Sequence, residues 1–217
     1  MMLFSKARCG CAAVALCLAV LLISARPVWA GDIVSSWSEM KIPPPITLKP
    51  VHIEAGETAL LVLDFAKGTC NTAQRPRCFD SIPIVAKLLT NARAHGVHVV
   101  FSTVPNGSIS DSPPSLMPKP GEPSVTAGAE KFTGTELGNI LRAQHVRTVI
   151  VTGTIAQGAV LFTASAAALR GYNVIVPVDT MSSGDAFGEL AAAYILANGP
   201  ASVSSKVTMT RSDMIGF

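Results

Sequence analysis

Residues 149–163, VIVTGTIAQGAVLFT, constrain the fold most, because they read as a buried strand turning sharply into a helix. Val149, Ile150 and Val151 form a β-branched apolar run without polar alternation, the pattern of a parallel strand covered on both faces. Thr152 and Gly153 break the run, and the small residues from Gln157 to Leu169 suit a helix pressed onto a sheet. A strand that passes straight into a helix presents backbone N–H groups and a helix N-terminus at the carboxyl end of the sheet. Open α/β folds bind their ligands there. An ordinary strand-to-helix turn without function is the competing reading of this segment taken alone.

The rest of the chain repeats the alternation. Residues 59–64, ALLVLD, read as a second buried strand ending in Asp64, a carboxylate that the strand itself does not require. A simple loop cap is the alternative role for that Asp. Residues 81–94 carry Ile84, Val85, Leu88, Leu89 and Ala92 at helical spacing, with Asp80 or Ser81 as cap and Pro83 in the first turn. Residues 97–103 form the next strand, and residues 104–123, rich in Pro, Ser and Gly, a long loop that serves as a lid or is disordered. A short strand at 124–127 precedes a helix opening at KFTGTEL, residues 131–137. Thr133 and Glu136 are its capping pair, and Leu137, Ile140 and Leu141 its apolar stripe. The helix through residues 164–169 stops at Gly171, residues 184–198 form the last long helix, and residues 206–210 an edge strand. Strands and helices in alternation imply an α/β fold, a three-layer α/β/α sandwich around a mostly parallel sheet.

Four of these segments together resemble the isochorismatase-like hydrolases, the superfamily that also holds nicotinamidases and other cysteine hydrolases. ALLVLD matches the opening ALLVIDxQ, KFTGTEL the FxGTxL motif, TGTIAQGAV the TGVxxxxCV turn, and GYNVIVPVD (residues 171–179) the GYxVxVxxDA strand. The motifs fall in family order and cover roughly residues 50–185. The resemblance implies a six-stranded sheet of order 3-2-1-4-5-6 and a catalytic set of Asp, Lys and Cys. In such enzymes the Cys attacks a carbonyl carbon, backbone N–H groups hold the oxyanion and the Asp shuttles the proton.

Carried over residue by residue, the Asp is Asp64 and the nucleophile position is Ala159. A methyl group attacks nothing, so thioester chemistry is excluded at that position. The family Lys stands several residues before the Phe, where this chain has Thr126; the nearby lysine is Lys131, directly before Phe132. Lys131 is therefore either the catalytic partner of Asp64 or a solvated residue at a helix start. The resemblance places substrate contacts at Phe65, Thr154, Ile155, Gln157, Gly158 and Ala159, with a cis peptide between Thr154 and Ile155. True isochorismatases carry Gly at the nucleophile position and let their Asp protonate a vinyl ether, a route compatible with Ala159.

The N-terminus reads as an export signal. Lys6 and Arg8 precede an apolar run at residues 12–23, too short to span a bilayer, and Val28-Trp29-Ala30 ends in a small residue suited to signal peptidase. Residues 1–30 are read as a signal peptide, with an uncleaved anchor as the alternative, and residues 31–217 as one hydrolase domain. A periplasmic or secreted location follows. Of 17 Lys and Arg, Lys6, Arg8 and Arg26 lie in the signal, which holds no acidic residue; the remaining 14 balance the 14 acidic residues. Nothing then points to nucleic acid or to an anionic membrane. Cys9, Cys11 and Cys17 leave with the signal, so Cys70 and Cys78 remain to form a disulfide in an oxidising compartment. The alternative is a free Cys70 thiol that reaches the active site.

His52, His95, His98 and His145 are scattered, without metal-ligand spacing, and His95 beside Gly96 suits a helix C-terminus. No metal is expected, and with no GxGxxG or Walker loop no cofactor either. The expected partners are a small-molecule substrate or ligand and further copies of the chain, with no stable membrane insertion after signal cleavage. Two functions remain: an exported hydrolase using Asp64-centred acid–base chemistry, or an inactive relative that binds a small ligand or acts through its oligomer.

Overall fold

The computed structural model describes residues 32–217, so the expected signal peptide lies outside the described residues. The chain divides at Pro44. In the first unit Ile33–Ser36 is a helical turn, capped by Asp32 Oδ1 accepting from the Ser35 N–H at 2.8 Å. The arm of residues 32–50 ahead of the first long strand is thus helical near its start. In the second unit, Ile46 and Leu48 of that arm pack on the core, and the Lys49 N–H donates to Met209 O at 3.0 Å.

Six strands build the second unit: β1 (Thr58–Leu63), β2 (His98–Thr103), β3 (Ser124–Thr126), β4 (Thr148–Thr154), β5 (Asn173–Pro177) and β6 (Val207–Thr210). They lie in the order 3-2-1-4-5-6, every pair parallel. A seventh strand, Met181–Ser182, extends this six-stranded expectation by pairing with the end of β4. Two residues were too few to show a strand pattern. Val51–His52 and Ile215–Gly216 form a separate parallel ribbon.

All six residues of β1 are buried, because alternate side chains feed two cores. Ala59, Leu61 and Leu63 pack under three helices: α2 (Leu137–Ala143), α3 (Leu161–Leu169) and α4 (Ala186–Asn198). Leu60 and Val62 pack under α1 (Pro76–Ala94) on the other face. The alanines of α3, Ala164 and Ala167, are fully buried, which small residues permit at a close helix–sheet contact.

Two helix starts differ from expectation. α1 begins at Pro76 rather than near Ser81, since Pro76 takes a first-turn position where its missing N–H costs nothing. Pro83 consequently stands inside the helix. α2 begins at Leu137, and the Thr133–Glu136 capping pair does not form: Gly134 at φ 71° breaks the turn, and the Leu137 N–H bonds Thr135 Oγ1 at 3.2 Å. The loop at 104–123 is ordered. Leu116 is fully buried on the α1 side, the Lys67 N–H donates to Asp111 O at 3.0 Å, and Arg93 pairs with Glu122 at 2.6 Å. Among the described residues no helix is long and apolar enough to cross a membrane.

Candidate functional site

Parallel pairing brings the carboxyl ends of β1, β2 and β4 to one edge, where Leu63 lies opposite Ser102 on one side and Gly153 on the other. The approach to β4 is very close. A Cβ on Gly153, whose φ is +150°, would stand 2.6 Å from both Leu63 Cβ and Leu63 O, so only glycine is accommodated. Asp64 follows at φ 60°, a left-handed conformation that Asp tolerates better than most residues. Its N–H donates to Ser102 O at 3.1 Å, and its own carbonyl accepts from Thr69 Oγ1.

This backbone sets the Asp64 carboxylate into a buried site where each oxygen has a partner. Asp64 is 2% exposed and Lys131 0%. Lys131 Nζ lies 2.7 Å from Asp64 Oδ2 and also donates to the carbonyls of Ala127 at 3.1 Å and Gly128 at 2.6 Å. Ser102 Oγ donates to Asp64 Oδ1 at 2.7 Å. Burial pushes the Asp64 carboxyl above the ordinary carboxylate range, against the opposing pull of Lys131, Ser102 and Arg75. Lys131 reaches this position although it sits later in sequence than the family lysine. The turn after β3 folds its side chain back onto the carbonyls three and four residues earlier, beside the end of β3.

The turn after β4 completes the site. The Thr154–Ile155 peptide is cis. Residues Ala156–Val160 then form a wide turn, with the Val160 N–H bonding Ile155 O at 3.4 Å, before α3 proper begins at Leu161. The helix expected from Gln157 therefore starts as a π-type turn, a variant frequent at functional sites.

A cavity of about 160 Å³ opens here, lined by Asp64, Thr154, Ile155 and Ala159. Thr69, Arg75, Val104, Gly128 and Ala129 complete its wall. Three other nominated residues lie elsewhere. Phe65 is buried in the core beneath α1. Gly158 packs inside the turn, where a Cβ would come within 2.7 Å of Ile155 Cγ2. Gln157 ties the turn to the start of α4: Ser183 Oγ donates to its Oε1 at 2.7 Å, and the Ser183 N–H donates to Glu189 at 3.1 Å. A larger open depression of about 590 Å³, lined by Arg142, Arg147, Arg170 and Lys206, sits at the opposite, amino ends of the strands. The smaller cavity is the candidate site because buried ionisable groups and the carboxyl strand ends converge there.

Cys70 and Cys78 are joined, with Cα atoms 5.5 Å apart, so Cys70 does not reach the cavity as a thiol. The bond closes a short ring onto the first turn of α1. Denatured, unreduced protein should show no free thiol from this pair, and replacing both by serine should lower stability by about 2.5 kcal/mol. Two titrating thiols would refute the pairing.

Ser102, Thr69 and Arg75 were not nominated from sequence. Ser102 was reachable in principle, since the 3-2-1 order sets the end of its strand beside Asp64. Arg75 was not, because its place in the wall depends on the path of the loop that Cys70 and Cys78 bracket. Among the described residues, no three His, Cys, Asp or Glu side chains gather closely enough to hold a metal ion.

Comparison with known proteins agrees with this architecture. No curated protein matches the chain. Among solved structures, an isochorismatase family protein from Desulfovibrio vulgaris is 20% identical, with TM-score 0.65 over 72% of this chain and 95% of that one. N-carbamoylsarcosine amidase from Thermoplasma acidophilum is 23% identical, with TM-score 0.61 over 72% and 97%. A cysteine hydrolase from Pseudomonas syringae pv. phaseolicola is 22% identical, with TM-score 0.65 over 77% and 94%. At such identities these likenesses show the fold. The family assignment comes from the Isochorismatase domain model, which matches residues 58–205, well over half of the chain. The chain belongs to the isochorismatase-like hydrolase family.

Proposed function

We propose that this protein is an exported hydrolase that cleaves a small molecule by proton transfer through Asp64, without a cysteine nucleophile. The observation carrying this reading is a carboxylate that is 2% exposed, held at 2.7 Å by both Lys131 and Ser102, and still part of a cavity wall. Such a group is expensive to bury and has no evident purpose except chemistry. Ala159 brings no nucleophilic atom to the cavity, and the two cysteines among the described residues are bonded to each other. This reading takes water, rather than a side chain, as the attacking species.

The step balances through one carboxyl group. Protonated Asp64 donates its proton to the leaving atom of the substrate, and water adds to the electron-poor carbon. The proton lost by that water returns to Asp64. Burial favours the protonated form that begins the cycle, and the Lys131 ammonium stabilises the carboxylate formed within it. Export is supported by the basic and apolar N-terminal segment and by the disulfide, a bond that persists in oxidising compartments.

The mature protein should be offered amides, esters and vinyl ethers, with product release, solvent-oxygen incorporation and intact protein mass all followed. Turnover of one class is expected, with solvent oxygen in the product and no mass retained on the protein. A covalent adduct would overturn the direct-water step. Absence of turnover in every class would leave the ligand-binding reading in its place.

A further inference from the structure

Arg75 is the one cation in the wall of the Asp64 cavity, and it forms no ion pair there. Lys131 is matched by Asp64 in the buried pair. The next arginine, Arg77, chelates Glu189 with two bonds of 2.7 Å. Arg75 makes no ion pair among the described residues; its recorded side-chain bond runs from Nη1 to Thr69 O at 3.1 Å. A guanidinium carries five N–H donors, so most of this fork has no recorded partner in a residue that lines the cavity.

Its backbone, by contrast, is held from several sides. The disulfide closes the ring around it, the Arg75 N–H donates to Asn71 O at 2.9 Å, and the Cys78 N–H donates to Arg75 O at 3.0 Å. Pro76 follows at once and restricts the joint. The held backbone thus keeps a guanidinium that makes no ion pair at the wall of a space of about 160 Å³. That volume is smaller than the 300–1,000 Å³ typical of drug-sized ligand sites, at roughly half the lower bound. A planar fork in such a position recognises carboxylate better than any neutral group.

We propose that the ligand of this cavity is a small organic carboxylate, anchored by Arg75 so that the remainder of the molecule lies against Asp64. This rests on the reading of the Asp64 cavity as the functional site, and it names the class of molecule that enters it. The carboxylate supplies binding energy away from the reacting centre, and Asp64 then meets the substrate in a fixed orientation.

Binding, measured without reference to turnover, tests it. Lactate and pyruvate are compared with lactamide and pyruvamide, which match them in size and lack the charge. Titration calorimetry on the mature protein should show the acids binding at least about tenfold more tightly than the amides, as expected for losing charge-assisted hydrogen bonds. Arg75→Gln should erase the preference, and Arg75→Lys, which keeps the charge but not the fork, should retain part of it. Asp64→Asn should preserve it. Equal affinity for acids and amides, binding by neither, or an undiminished preference in Arg75→Gln would overturn the proposal. Its failure is separable from that of the catalytic reading, which is judged by turnover: a protein that prefers acids but hydrolyses nothing keeps this site and loses that chemistry.

Discussion

Lys131→Met is expected to destabilise the protein by about 3–5 kcal/mol at neutral pH, the range for removing one partner of a buried ion pair. The side chain is fully buried, and its ammonium bonds Asp64, Ala127 O and Gly128 O. Methionine fills much of the space but leaves two carbonyls unpaired and a carboxylate with Ser102 as its remaining recorded side-chain donor. Asp64→Asn combined with Lys131→Met removes both charges, so it should recover a substantial part of the loss in urea denaturation. A double variant no more stable than Lys131→Met would assign the loss to packing rather than charge. Both single variants should also lose activity, Asp64→Asn by about 10²–10⁴-fold, the usual contribution of a positioned acid or base.

The same variant should acquire a characteristic dependence on pH. Burial already raises the Asp64 carboxyl, so the folded protein keeps a proton that the unfolded chain has released. The stability this contributes is complete below the unfolded value and is lost as pH rises through the folded one. Lys131 is the largest influence holding the folded value down. Without it that value climbs, and stability declines over a wider span, by up to about 1.4 kcal/mol per pH unit for one proton. The gap between Lys131→Met and the parent should therefore be narrower at about pH 5 than at about pH 8. A gap independent of pH would mean that Asp64 takes up no proton when Lys131 is gone.

Much of the fold was legible because burial on both faces leaves an unmistakable record. The apolar runs at 59–63 and 149–151 are strands for the same reason that they are fully buried. Helix starts were less legible: Thr133 and Glu136 have capping chemistry, but the conformation at Gly134 overrides it, and no local pattern announces that override. Asp64 could be nominated from its place at the end of β1. Its pairing with Lys131 was one of two open readings, since the contact depends on a side chain folding back across its own turn. Gln157 shows how position in a turn can differ from position in the cavity wall. A polar residue beside a catalytic-looking turn invites a substrate role, yet its oxygen is engaged by Ser183. Arg75 was invisible for another reason, lying eleven residues beyond Asp64 in a polar loop whose path is set by the covalent ring.

Ala159→Cys should fold and should carry a thiol that iodoacetamide alkylates about tenfold faster than Lys87→Cys on the exposed face of α1. Ala159 is 2% exposed but lines the cavity, so the added sulfur has open space beside it and overpacking is avoided. The position is in the turn that begins the helical stretch running on through α3. Backbone N–H groups at such a terminus favour a thiolate. Burial and the Asp64 charge act against it, but that carboxylate is already neutralised by its pair. Alkylation consumes the thiolate as its sulfur displaces iodide, so the rate reports the fraction ionised. The native disulfide contributes no competing thiol. A cysteine at this position that stays inert in the folded protein, yet labels fully after unfolding, would make residue 159 part of the core. The cavity would then end before the turn, and the place where the family carries its nucleophile would be closed to any substrate.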